Sequence, residues 1–352
     1  MNAGSAMPDT LMGRRMTAEM AEQPDVLRRL ADRFDDITSS VRAIAGPSPR
    51  GVAFLARGSS DNAALLGRYA AGLYTGLPTC LVAPSLLTAY GRQPEGFAGW
   101  LLVALSQSGR TPEIITVARQ FAQAGAAVVG VTNQASSPLA EVSDLVIDVS
   151  AGPETAVPAT KTVTGQMLAV LAIATGLAKD GGGLSAAQAA DLPGAALAVL
   201  AEDEIPGRVA AELARHDRLA VVGRGFCYPA ALEAALKMQE TTGIMAHGFS
   251  SADFRHGPIA VCGPHAPAVL FAGSGPADGG TLDLRLELAG RQASSIVIGT
   301  GSHAVIGWPE LGHPGEAILA TIRGQQLAYA VAIRRGIDPD HPAGLNKVTF
   351  TH

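Results

Sequence analysis

The sequence predicts an α/β protein of two tandem domains, each a parallel sheet flanked by helices in three layers. Three observations predict it. Short, continuously apolar runs alternate with helix-length segments, the pattern of strands buried on both faces by crossover helices. Polar turns rich in Ser, Asp, Asn and Gly directly follow two of these runs and open helical segments. The openings of the two halves also align, with Arg57-Gly58-Ser59-Ser60 before Ala63-Ala64-Leu65 matching Arg224-Gly225-Phe226-Cys227 before Ala230-Ala231-Leu232. At 352 residues, 47% hydrophobic and 16% charged, the chain can fill two cores.

Taken in order, residues 14–45 place Met16, Met20, Val26, Leu27, Leu30, Phe34 and Ile37 at helical spacing, with Pro24 suited to the start of a second helix. Strand candidates follow at residues 52–56, 101–105, 127–131 and 145–149. An Ala- and Gly-rich interval with Gly181-Gly182-Gly183 reads as a connection to a second series of strands at 219–222, 268–271 and 295–298. The expected organisation is an N-terminal helical segment (1–45), a first sheet domain (46–180), a linker (181–205), a second sheet domain (206–338) and a C-terminal tail closing the active site (339–352).

The formal net charge of −5 offers no broad attraction to nucleic acid or an acidic membrane. Cys80, Cys227 and Cys262 lack C-x-x-C spacing and read as core fillers rather than a disulfide framework or thiolate metal site. The polar start MNAGSAMPDT has no apolar signal core, and apolar stretches break before membrane-spanning length, so the expectation is a cytoplasmic protein.

Residues 106–111, Ser-Gln-Ser-Gly-Arg-Thr, stand between a buried strand and a helix opening with Pro112-Glu113. Unpaired backbone N–H groups and partial positive charge at a helix N-terminus, together with Ser106, Ser108 and Thr111 hydroxyls, suit a phosphate. With neither a P-loop lysine nor G-x-G-x-x-G, a phosphate monoester fits better than ATP or NAD. Helix capping is the other use for such hydroxyls. Ser59, Ser60, Asp61 and Asn62 reach the same carboxyl edge of the predicted sheet, where turn chemistry alone also selects these residue types. In the second half, Lys237 and Glu240 share one helix face, either as a surface ion bridge or as a tuned acid–base pair in Ala-rich surroundings. His256 lies in a turn-like segment, and His suits proton transfer near neutrality. Thr160-Lys161-Thr162 and Lys347, between Leu345 and Val348, supply further candidates.

In order along the chain, RGSSDN, SQSGRT, VPATKT, ALKMQE, FRHGPIA and LNKVT resemble the isomerase half of glutamine–fructose-6-phosphate aminotransferases, also called glucosamine-6-phosphate synthases. EMAEQP at residues 19–24 is similar to that family's entry, and the resemblance spans about residues 16–350. It implies two sugar-isomerase (SIS) domains, a homodimer with an active site shared between subunits, and no metal or other cofactor. By that resemblance Ser60, Ser106, Gln107, Ser108 and Thr111 hold the sugar phosphate, and Ser59, Val157 and Ala159 line the sugar. Glu240 would move a proton between C1 and C2 with Lys237 assisting, His256 from the neighbouring subunit would open the ring, and Lys347 would be the imine-forming or sugar-anchoring lysine.

The synthases precede this region with a glutaminase domain headed by a catalytic cysteine, whereas here residue 2 is Asn and the similarity begins almost at once. The resulting expectation is a free-standing isomerase pair, similar to glucosamine-6-phosphate deaminases of this fold, that forms fructose 6-phosphate and ammonia. Arg110 in the phosphate loop and Ala159, where the synthases have Ser, depart from the pattern. Other expectations with the same motifs are a galactosamine-6-phosphate deaminase/isomerase and a fructosamine-phosphate deglycase. A phosphosugar-sensing binding module is the alternative of another class. The first 45 residues are too short and insufficiently basic for the DNA-binding domain such sensors carry.

Overall fold

The computed structural model describes residues 12–179, 181–202, 205 and 207–347; the ends of the expected N-terminal segment and C-terminal tail, including Val348 and Thr349, lie outside the described residues. Three helices, α1 (Arg14–Ala21), α2 (Gln23–Ala31) and α3 (Phe34–Ala45), account for the helical spacing of residues 14–45. Pro24 sits in the first turn of α2, where an N–H would have no helical partner.

The first sheet unit runs β1 (Val52–Leu55), α4 (Ser59–Thr75), β2 (Thr79–Leu81), α5 (Ser85–Thr88), β3 (Leu101–Leu105), α6 (Pro112–Gln123), β4 (Ala127–Thr132), α7 (Pro138–Glu141), β5 (Leu145–Asp148) and α8 (Lys161–Leu177). After α9 (Ala186–Ala201) and α10 (Gly207–Leu213), the second unit begins with β6 (Arg218–Gly223), α11 (Cys227–Thr242), β7 (Met245–Ser250) and α12 (Ser251–Arg255). It continues through β8 (Ala268–Ala272), α13 (Gly279–Leu282), α14 (Leu284–Gly290), β9 (Ser295–Gly299), β10 (Ile306–Gly307) and α15 (Glu316–Arg334).

Both sheets are five-stranded, with orders β2-β1-β3-β4-β5 and β10-β9-β8-β6-β7, and every strand pairing is parallel. Read from the other edge, the second order is β7-β6-β8-β9-β10, the same winding as the first. The duplication seen in the openings of the two halves thus extends to the whole topology. Parallel pairing requires a crossover, which explains the helix after nearly every strand.

Alternate residues of each strand feed opposite cores. Val52, Phe54, Leu101, Val103, Val129 and Val131 face inward, while Ala53, Leu55, Leu102, Ala104 and Val128 face α6 in an outer cluster. The second sheet divides likewise, with Val221, Val269, Phe271 and Ile298 in the same inner core and Val222, Leu270 and Val297 in an outer one. One continuous core, lined by α4, α8, α11 and α15, therefore joins the inner faces of both sheets. Almost all of α8 is buried, as expected for a helix apolar on every side.

The interval 181–205, expected as a linker, contains the helix α9, which packs on α2 and α15. Ser185 and Gln188 form a capping box at its start, and Ala189, Leu192, Ala196 and Val199 repeat at helical spacing along its buried face. β2, β7 and β10 are sheet-edge strands that the apolar-run criterion does not find. β2 and β10 have three and two residues, and β7 alternates exposed and buried positions through Met245, Ala246, His247 and Gly248. Among the described residues no helix is long and apolar enough to cross a membrane. Cys227 and Cys262 are buried and Cys80 is half-buried, all as free thiols.

Candidate active site

In each sheet the winding reverses between the central strand and one of its neighbours, and this opens a crevice at their carboxyl ends. In the first sheet the crevice lies between β1 and β3, bounded by the turn into α4 and by residues 106–111 leading into α6. A cavity of about 400 Å³ occupies it, lined by Ser59, Ser60, Ser106, Gln107, Ser108, Thr111, Val157, Ala159, Glu240 and Lys347, with Arg57, Glu154 and Asn346 among the other wall residues. A volume of this order suits a small-molecule ligand.

The hydroxyls here are not spent on capping. Gly58 and Thr111 occupy the N-cap positions of α4 and α6, and neither helix has a side-chain cap. Thr111 Oγ1 instead lies 3.2 Å from Ser106 Oγ, and Ser108 Oγ accepts from the Arg110 amide at 3.2 Å. Two helix N-termini and a ring of hydroxyls therefore border the cavity, an arrangement suited to an oxyanion. Arg57 adds positive charge at the rim, held by a two-point ion pair in which Nε and Nη2 reach the buried Glu113 at 2.9 and 3.1 Å.

Gly109 fixes the path of this loop. Its φ of +61° is left-handed, and a Cβ at that position would stand 2.0 Å from Ser137 Oγ and 2.9 Å from Thr132 Oγ1. Gly109→Ala should cost at least about 1–2 kcal/mol from the backbone alone and weaken the binding of a phosphate ester in the cavity, should one bind there. Thermal denaturation and a binding titration of the variant check both; an unchanged melting midpoint would show that the loop relaxes freely.

The second unit contributes the helix α11, whose Lys237 lies at the centre of a buried network. Lys237 Nζ donates to Glu240 and, across to the first unit, to Ser59 Oγ at 3.1 Å, and it stands 3.4 Å from Glu233 Oε1. Asn62 Nδ2, also from the first unit, donates to Glu233 Oε2 at 2.7 Å. The Lys237 and Glu233 side chains are 0% and 1% exposed, while Glu240 retains 21% and faces the cavity. Of the two sequence readings of Lys237 and Glu240, the surface ion bridge is therefore overturned, because this face of α11 turns into the interface between the units. Burial alone would lower Lys237, but Glu233 and Glu240 outweigh it and raise its pKa. Burial, with Glu240 adding to it, raises Glu233 despite opposition from Lys237 and the hydrogen bond from Asn62.

Across the cavity Lys347 Nζ donates to Glu154 Oε2 at 2.8 Å. Glu154 is itself fixed by the amides of Thr160 and Thr162 at 3.0 and 3.1 Å and by Thr162 Oγ1 at 2.8 Å. Burial opposes its charge, yet Lys347 and these donors hold its carboxyl below the usual range. The N-terminal helices brace the same loop. Glu19 accepts from Thr155 Oγ1 at 3.0 Å and from the Ala156 amide at 3.2 Å, and Gln23 accepts from Thr164 Oγ1 at 2.9 Å. Lys161, another sequence candidate, points away from the cavity to Glu22 at 2.6 Å.

His256 is not brought to this cavity. It is exposed at the C-terminal end of α12 and is absent from the lining. Glu233, Glu154, Arg57 and Glu113 belong to the site's framework, although no local sequence pattern marks them as functional. Glu233 lies one helical turn before Lys237, which is a signal only once that face is known to be buried. Among the described residues no group of three or more His, Cys, Asp or Glu converges as a metal-binding set.

The SIS-domain profile matches residues 48–176 and 212–306, covering the two sheet units. A glutamine–fructose-6-phosphate aminotransferase (isomerizing) of Zymomonas mobilis is 31% identical over 94% of this chain, which spans 58% of that relative's length. A candidate phosphosugar isomerase from Silicibacter pomeroyi has a structure that superposes with a TM-score of 0.82 at 34% identity, covering 92% of this chain and 99% of that one. The glucosamine-6-phosphate deaminase of Thermotoga maritima shares the fold, with a TM-score of 0.76 at 23% identity over 96% of this chain and all of that one.

Proposed function

The chain belongs to the SIS-domain family, and from that membership we propose that it is an amino-sugar phosphate deaminase/isomerase that converts glucosamine 6-phosphate and water to fructose 6-phosphate and ammonia. The observation that carries this reading is the convergence on one cavity of an uncapped, hydroxyl-rich helix start, the Glu240 carboxylate and the Lys347 ammonium.

In this reading Ser60, Ser106, Gln107, Ser108 and Thr111 hold the phosphate, and Ser59, Val157 and Ala159 border the sugar chain. With the phosphate fixed, the open-chain aldehyde lies towards α11. Glu240 removes the C2 proton while the oxygen on C1 takes one from solvent, giving an enolamine, and then returns its proton to C1 as the nitrogen releases one to solvent. The product is a C2 imine, which water hydrolyses to the ketone with release of ammonia. Lys347, which lines the cavity, stabilises negative charge developing at the oxygen on C1, and the buried Lys237 assists through Glu240, to which it donates. Confinement between the two units supplies the alignment that a proton shuttle between adjacent carbons needs. Ring opening falls to His256 of a second copy of the chain, since it lies off the cavity of its own; a homodimer is part of the proposal.

The test is incubation of the purified protein with glucosamine 6-phosphate and, separately, galactosamine 6-phosphate, following ammonia and ketose phosphate without glutamine. Ammonia from the gluco epimer is expected. Ammonia from the galacto epimer alone would shift the assignment to that substrate. Binding of sugar phosphate without ammonia from either would overturn the deaminase reading in favour of a deglycase or a sensor.

A further inference from the structure

The second sheet repeats the winding of the first, so it has its own crevice between β6 and β8 at their carboxyl ends. Residues 273–278, after β8, correspond to residues 106–111, after β3. The start of α15 corresponds to the start of α8, since each helix follows the last strand of its sheet. In the first unit this crevice is the open cavity. In the second, the first residue of α15, Glu316, turns back into it.

The Glu316 carboxylate is surrounded by donors. Oε1 accepts from Ser274 Oγ at 2.5 Å and from the amides of Leu311 and Gly312, each at 2.9 Å. Oε2 accepts from the Ser274 amide at 3.0 Å and from Trp308 Nε1 at 3.3 Å. Three backbone amides, a serine hydroxyl and an indole N–H on one carboxylate are the donor set of an anion site, and Ser274 supplies two of the five from the loop after the central strand. Glu316 is only 5% exposed, and a Cβ on Gly273 would come within 2.6 Å of Oε2, so the carboxylate presses directly on the backbone that follows β8.

We infer that Glu316 is a built-in anion that fills, in the second unit, the cradle that the first unit keeps open for a phosphate, so that the duplicated fold offers one sugar-phosphate site per chain. The loop position of Ser274 is the part that the winding repeats from the first unit, whereas Trp308, Leu311 and Gly312 come from the segment leading into α15, and together they hold a tethered carboxylate that closes the crevice. The second unit is thereby confined to supplying the catalytic face of α11. The count of one sugar-phosphate site rests on the proposed function, whereas the filling of the cradle does not.

The experiment uses the full chain carrying Glu316→Ala, with melting midpoints recorded in increasing sodium formate and, as control, sodium chloride at equal ionic strength. A lowered midpoint that formate restores in a saturable manner, with chloride inert and the parent unresponsive, is expected. Destabilisation that formate does not relieve more than chloride does would overturn the inference. Should Glu316→Ala not fold, Glu316→Gln carries the test, being nearly isosteric but neutral. Burial opposes the charge of Glu316, but its donors hold the carboxyl below the ordinary range. Its contribution is therefore complete above the unfolded-state pKa and is lost as pH falls through the lower folded-state value. The stability gap between parent and Glu316→Gln should close as pH is lowered, and a gap independent of pH would overturn the inference. Neither readout uses a sugar phosphate, so failure of the deaminase assay leaves these outcomes intact.

Discussion

Glu240→Gln is expected to lower turnover of glucosamine 6-phosphate by about 100- to 10,000-fold, the range that a positioned general acid–base contributes, while leaving sugar-phosphate binding in place. Glutamine keeps the size of the side chain but cannot carry the proton from C2 to C1. Glu240 suits the assignment because it alone of the three charged groups on this face of α11 both touches the cavity and remains partly exposed, whereas Glu233 and Lys237 are enclosed. Solvent-deuterium incorporation at C1 and C2 should fall with turnover. Residual activity near the parent's, with binding intact, would transfer the proton-carrier role to another group. The hydroxyls proposed to hold the phosphate lie on the first unit, so calorimetric titration with glucosamine 6-phosphate separates the loss of chemistry from a loss of binding.

The second large effect concerns stability. Lys237→Met should destabilise the fold by roughly 3–5 kcal/mol, because removing one partner leaves the fully buried Glu233 without its counter-ion. Asn62 continues to donate to Glu233 Oε2, but no described group forms a hydrogen bond to Oε1, whose charged neighbour is Lys237 at 3.4 Å. Combining Lys237→Met with Glu233→Gln removes both charges and should recover a large part of the loss. The pH dependence has a definite sign. Burial already holds Glu233 above its ordinary value, and without Lys237 that displacement grows. An acid raised in the folded state destabilises as pH climbs above its unfolded-state pKa, so the Lys237→Met penalty should be larger at pH 8 than at pH 5. Chemical denaturation of parent, single and double variants at both values checks this; a double variant no more stable than the single would show that packing, not the stranded charge, dominates.

Much of the fold is legible locally. Residues 52–56, 101–105 and 127–131 are strands because unbroken apolar runs of that length fit a sheet covered on both faces, and the observed strands agree within a residue or two. The edges are less legible, since a two- or three-residue strand such as β10 or β2 is set by the neighbour it pairs with. The glycines before α9 mask it, although its Ser185 capping box and the spacing of Ala189, Leu192 and Val199 are legible in the sequence.

The duplicated α/β architecture and the location of the hydroxyl-rich turns follow from local sequence, because strand burial and helix initiation depend on residues close together in the chain. Local sequence also places Lys237 and Glu240 on one helix face, a consequence of helical spacing alone. Long-range packing turns this face inward, where Asn62, 171 residues from Glu233, supplies its hydrogen bond, and brings Glu154 to Lys347 across 193 residues. It likewise opened one of the two equivalent crevices and closed the other with Glu316. The energy of a charge depends on the dielectric and the partners around it, and for these residues both are provided by distant parts of the chain.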